Sequence, residues 1–75
     1  MSQNVELNNL INLYEAYKTR EASQDAKVNK LIVLNNFLTK IVEQSVDQQD
    51  ICEKYKAEQE DLLKELSMLG INIDN

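Results

Sequence analysis

The 75-residue chain has no proline, no histidine and no tryptophan, a single glycine and a single cysteine. Each scarcity excludes something. With no proline and its only glycine at Gly70, the chain carries no strong helix breaker before its last few residues. No window shows the strict alternation of a half-buried strand. The sequence therefore reads as almost entirely helical. The lone Cys52 excludes an intrachain disulfide, and without histidine it cannot complete a four-ligand zinc site of the usual kind. A chain of this length buries only about 60% of its unfolded surface, so its own core is thin. With disulfides and metal removed, association with other chains is the remaining source of added stability.

Clustered positive charge is missing too. Thirteen Asp and Glu face eight Lys and Arg, a net charge of -5, and the basic residues are scattered singly. Nucleic-acid binding rests on clustered Lys and Arg at phosphates, so that partner class is not expected, and anionic membrane surfaces are disfavoured alike. No apolar run approaches the roughly 18 residues of a spanning helix. The start, MSQNVELNN, lacks the basic-then-apolar layout of an export signal. Together with the unpaired cysteine this sets the expectation of a cytoplasmic protein. Fifteen residues are Asn or Gln, yet the hydrophobic fraction is 43% and the apolar residues are periodic, unlike a disordered chain.

Three apolar stretches are present. Leu7, Leu10, Ile11, Tyr14 and Tyr17 recur at spacings of three and four, with Leu13 at the flank, and cover about 160° of a helix. Val28, Leu31, Ile32, Val33, Leu34, Phe37, Leu38, Ile41, Val42 and Val46 cover about 220°, too wide for one neighbour, so a second neighbour from another chain is expected. Ile51, Cys52, Tyr55, Leu62, Leu63, Leu66 and Leu69 form a narrower stripe of about 120°.

A seven-residue ladder, Leu34, Ile41, Gln48, Tyr55, Leu62 and Leu69, joins the last two stretches. A second ladder, Leu31, Leu38, Ser45, Cys52, Gln59 and Leu66, accompanies it three residues earlier. Such a repeat implies a left-handed coiled-coil seam. Continuity of phase predicts one long helix over residues 27–69, roughly 65 Å in length. Between residues 18 and 27 the phase slips and no large apolar side chain occurs, while Ser23 or Asp25 is suited to cap a new helix. The expected fold is all-α, a single helical domain: a short helix over 5–21, a turn over 22–26, a long coiled-coil-like helix over 27–69 and a tail over 70–75. Gly70 and Ile71 are placed for a Schellman-type ending. Two other arrangements fit the pattern, a three-helix bundle broken near Ser45, with Ser45 and Gln48 as a capping pair, and one continuous helix in a coiled coil.

No constellation calls for chemistry. Glu43, Asp47, Asp50 and Glu53 read as a solvated face, since DQQDICEKYKAE has no loop glycine. Cys52 reads as a small core residue, with a disulfide across a dimer as the lesser reading. Tyr14, Tyr17 and Tyr55 suit packing at a helical interface. Ser45, Gln48, Gln49, Cys52 and Gln59 form a polar waist in the seam that suits register control. Catalytic, cofactor-binding and metal sites are not expected, nor is a small-molecule substrate. The expectation is a non-catalytic interaction module, a small assembly subunit, adaptor or co-chaperone. It would meet a protein partner, or further copies of itself, through Leu31, Leu34, Phe37, Leu38, Ile41, Val42, Tyr55, Leu62, Leu66 and Leu69. The alternative is an acidic inhibitor or nucleic-acid mimic: residues 43–65 hold eight acidic and three basic side chains.

Overall fold

The computed structural model describes residues 2–71, with side chains from Val5 onward. Three helices follow one another: α1 (Ser2–Lys18), α2 (Gln24–Gln44) and α3 (Gln49–Met68). The all-helical expectation holds. The single long second helix does not: the chain breaks at residues 45–48, giving three helices of similar length.

The chain turns in the stretch KTREASQDAKV, three residues earlier than the 22–26 expected. Lys18, its charge suited to the helix dipole, is the last α1 residue, and Thr19 Oγ1 donates to the Ala16 carbonyl at 3.0 Å. Ser23 then caps α2: its backbone is extended, and its Oγ accepts from the Ala26 N–H at 3.3 Å. Lys30 Nζ reaches back to the Arg20 carbonyl and ties the connection down.

The second break has a local cause. Ser45 is the C-cap of α2, not the N-cap of α3, and is fully buried. Its N–H and its Oγ both donate to the Val42 carbonyl at 3.2 Å, competing with the helical pattern. A tight turn follows, closed by Gln48 N–H to the Ser45 carbonyl at 2.9 Å. The continuous heptad phase is not peculiar to one long helix. An antiparallel hairpin also needs both stripes on one face, and folding back buries each stripe against the other instead of leaving both in water.

α2 lies in the middle. α1 runs antiparallel to it, with Glu6, Leu10 and Leu13 beside Lys40 and Gln44, and Tyr14 and Lys18 toward Leu34 and Leu31. α3 packs on its other side, also antiparallel, with Leu62 beside Leu31. Among the described residues the α1 and α3 backbones do not approach closely, and side chains bridge them. Most of the wide apolar arc of α2 thus finds two neighbours within its own chain, not one within and one outside, while Val33 and Val46 stay exposed. The break at 45–48 supplies the second.

The core joins Leu7 and Tyr14 of α1, Leu31, Leu34, Leu38 and Ile41 of α2, and Tyr55, Leu62 and Leu66 of α3. A polar cluster sits inside it. Asn35, 2% exposed, accepts from Gln59 Nε2 through Oδ1 at 2.8 Å, and Gln59 Nε2 also meets Thr39 Oγ1 at 2.9 Å. Sliding α3 along α2 breaks both bonds and strands a buried amide, so the cluster holds the register of the two helices.

The Schellman ending is present. Gly70 has φ 84°, its N–H donates to the Ser67 carbonyl, and Ile71 N–H donates to the Leu66 carbonyl, each at 2.9 Å. Ile71 folds back onto the core. Residues 72–75 of the expected tail lie outside the described residues. A Cβ at residue 70 would meet nothing within 4 Å, so Gly70→Ala isolates the backbone term. The expected loss is about 1 kcal/mol, read as a lower urea midpoint at unchanged slope.

A candidate docking groove

α1 stops before the other two helices do. Beyond Lys18 the α1–α2 connection, instead of a helix, flanks α2 and α3, and a groove of about 650 Å³ opens there. Its floor is Leu31 and Leu34 of α2 with Leu62 of α3, and Tyr14 closes one end. One wall is the flank of α3 carrying Glu58, Asp61 and Glu65. The facing wall combines Lys18, Arg20, Glu21 and Ala22 with Lys27 and Lys30 of α2. The groove is therefore apolar below, acidic on one side and mainly basic on the other.

The closed end is held by a reciprocal clasp between α1 and α3. Tyr14 OH donates to Glu58 Oε1 at 2.5 Å, and Tyr55 OH donates to Glu15 Oε2 at 3.2 Å. The two rings meet edge to face, centroids 5.8 Å apart and planes at 88°. Lys18 Nζ lies 3.1 Å from Glu58 Oε1 and 5.6 Å from the Tyr14 centroid. Burial, the hydrogen bond to Glu58 and the nearby carboxylates push the Tyr14 hydroxyl far above the usual phenol range. Tyr55 is pushed up by burial and by Glu15, through both its charge and its hydrogen bond. Burial pushes Glu58 up, but the hydrogen bonds from Tyr14 and Lys18 and the charges of Lys18 and Lys54 outweigh it, leaving the carboxyl below its ordinary value. Phenols held protonated and a carboxylate held ionised are poorly matched to proton transfer near neutrality. The clasp is built to hold helices together.

Of the residues read from the sequence as a partner interface, Leu31, Leu34, Leu38, Ile41, Tyr55, Leu62 and Leu66 are buried in the chain's own core. Phe37 and Val42 are half-buried against it, Phe37 tilted toward Tyr17 with centroids 6.5 Å apart. Leu69, the C-cap of α3, is 49% exposed and does not line the groove. Three of the ten line the groove: Leu31, Leu34 and Leu62. Tyr14 and Tyr55 are packing residues of the clasp. Cys52 is half-buried with a free thiol. Glu43, Asp47, Asp50 and Glu53 are all exposed, and the turn at 45–48, which contains Asp47, separates Glu43 of α2 from Asp50 and Glu53 of α3. Among the described residues no group of His, Cys, Asp or Glu is placed to hold a metal ion, and no helix is long and apolar enough to cross a membrane.

Sequence reasoning missed the charged walls. Lys18, Arg20 and Lys27 fall in a stretch whose sequence signals, a slip of phase, no large apolar residue and a capping Ser23 or Asp25, point to a turn and not to a charged surface. Glu58, Asp61 and Glu65 recur at spacings of three and four, which does place them on one flank of α3. It does not reveal that Lys18 of α1, Arg20 of the connection and Lys27 and Lys30 of α2 line the same groove. Comparison of the chain with protein families, with curated proteins and with solved structures finds no match.

Proposed function

We propose that the chain is a non-catalytic helical interaction module, an assembly subunit, adaptor or co-chaperone that receives a helix of another protein. The observation that carries this reading is the groove beyond the end of α1. There α2 and α3 run on beyond the last residue of α1 and leave a concave place for a further helix, rimmed by charged side chains above leucines that are only 4–8% exposed, a shape that helix-in-groove recognition uses. Leu69, and beside it Met68 at 87% exposure, leave apolar surface at the C-terminal end of α3. A cytoplasmic setting suits the free Cys52 thiol.

The test is a nuclear magnetic resonance titration of the isotope-labelled chain with short amphipathic helical peptides. Amide shifts are expected at residues 18–34 and 58–71, with the α1 start and the 45–48 turn unmoved. Uniform silence against every peptide, from a folded monomer, would sink the reading. Light scattering on the chain alone adds a second arm: a discrete oligomeric mass would replace the foreign partner with further copies of this chain.

A second reading, an acidic inhibitor or nucleic-acid mimic, is favoured by the excess of acid over residues 43–65 and the row Glu58, Asp61 and Glu65 along α3. Salt separates the two. Mimicry of a polyanion requires binding that weakens steeply as salt rises, whereas a helix held with only a few exposed charge pairs loses about tenfold at most.

A further inference from the structure

The charges around the groove specify its occupant more narrowly than its shape does. Asp61 and Glu65 stand four residues apart on α3, exposed, and among the described residues neither side chain has an ion pair or hydrogen bond. Like charges at that spacing repel mildly, so the helix carries them at a small cost to itself. The cations of the groove do not relieve them, because they stand on the facing wall. Lys18 is engaged with Glu58, Lys30 with the Arg20 carbonyl, and Arg20 lies 5.8 Å from the Tyr17 ring centroid. Lys27 has no charge partner among the described residues.

Resting on the module reading above, we infer that the groove takes one amphipathic helix of a different chain, with an apolar stripe, Lys or Arg along one flank and Asp or Glu along the other. The basic flank lies against Asp61 and Glu65, and the acidic flank against Lys27 and Arg20. The length fits. Lys27 to Leu34 along α2, and Glu58 to Glu65 along α3, each span about 10 Å, or two helical turns. Two turns offer apolar anchors at i, i+3 or i+4, and i+7 to cover the little that Leu31, Leu34 and Leu62, 4–8% exposed, leave open at the floor, so the charged flanks carry the selection. A second copy of this chain does not suit the place, since the apolar stripes of its three helices are already packed into its own core and none is left to enter the groove. A single convex helix fills it. The opposed flanks also set direction, because reversing the helix brings acid to Asp61 and Glu65.

Three stapled helical peptides with the same apolar stripe test this, with binding read by fluorescence anisotropy at low salt. One has a basic and an acidic flank, one has two basic flanks, and one has two acidic flanks. The mixed peptide is expected to bind the natural chain roughly tenfold tighter than either of the others, from a few exposed charge pairs. The doubly substituted chain Asp61→Lys, Glu65→Lys, its fold checked by circular dichroism, is expected to prefer the peptide with two acidic flanks. If Asp61→Lys, Glu65→Lys does not fold, Asp61→Asn, Glu65→Gln takes its place and is expected to lose most of the preference for the mixed peptide. Equal binding of all three peptides overturns the flank assignment and leaves the module reading standing. Tightest binding of the doubly basic peptide also overturns it, in favour of simple attraction to an acidic chain. Failure of every peptide overturns both.

Discussion

Leu38→Ala is expected to lower the stability of the fold by about 2–5 kcal/mol, enough to leave little of it folded at room temperature. Leu38 sits at the middle of the central helix, 0% exposed, part of the core that α2 shares with both other helices. Truncation removes the transfer free energy of the lost methyl groups and leaves a cavity that three rigid helices close only in part. Small domains hold about 5–15 kcal/mol in all, and a 75-residue bundle belongs near the bottom of that range. Ile41→Ala, equally buried, is expected to behave alike. Leu13→Ala, at a position 55% exposed, is expected to change stability by no more than about 0.5 kcal/mol. Urea melts followed by circular dichroism decide the matter. Comparable losses at Leu13 and Leu38 would mean that α2 does not lie between α1 and α3.

The second large effect is alkaline. Tyr14 and Tyr55 have hydroxyl pKa values raised above the ordinary 10.0 in the folded chain. Above about pH 10 the unfolded chain releases these protons while the folded chain retains them. Their stabilisation is therefore complete below that pH and is lost as pH rises further. Glu58 works in the opposite sense: its folded value lies below the ordinary 4.5, so its contribution is present above that pH and lost as pH falls through the folded value. Stability should form a plateau across neutrality, with a modest acid shoulder and a steeper alkaline fall. In the native chain Tyr14 and Tyr55 should give phenolate absorbance only as the helices come apart. Tyr14→Phe removes the bond to Glu58 and is expected to cost about 1–2 kcal/mol near neutrality, since Lys18 stays with the carboxylate. It should also flatten the alkaline limb. The clasp requires α3 folded back beside α1, so an unchanged limb in both Tyr14→Phe and Tyr55→Phe would count against the antiparallel three-helix arrangement.

The stripes were legible because helical burial is periodic: Leu7 and Tyr14, Leu31 to Ile41, and Tyr55 to Leu66 all face the core as their spacing requires. Gly70 and Ile71 were legible because only a left-handed C-cap uses them that way. Ser45 misled. As a seam residue it preserved the heptad phase, while as a hydroxyl-bearing residue it competed for the Val42 carbonyl and ended α2. Phase alone does not separate a long coiled-coil helix from a hairpin. Asn35 drew no notice either, because only its pairing with Gln59, 24 residues away, makes a buried amide tolerable.

By itself, then, the sequence determined the helical class, the apolar face of each segment and the helix end at Gly70, and it narrowed the start of α2 to Ser23 or Asp25, since these depend on local spacing and capping. Tertiary structure alone decided the turn at 45–48, the Tyr14–Glu58 and Tyr55–Glu15 clasp, and the groove with opposed charged walls. Those features join residues distant along the chain. Each depends on how far α1 extends beside α2 and α3, a quantity set by packing and not by any local pattern.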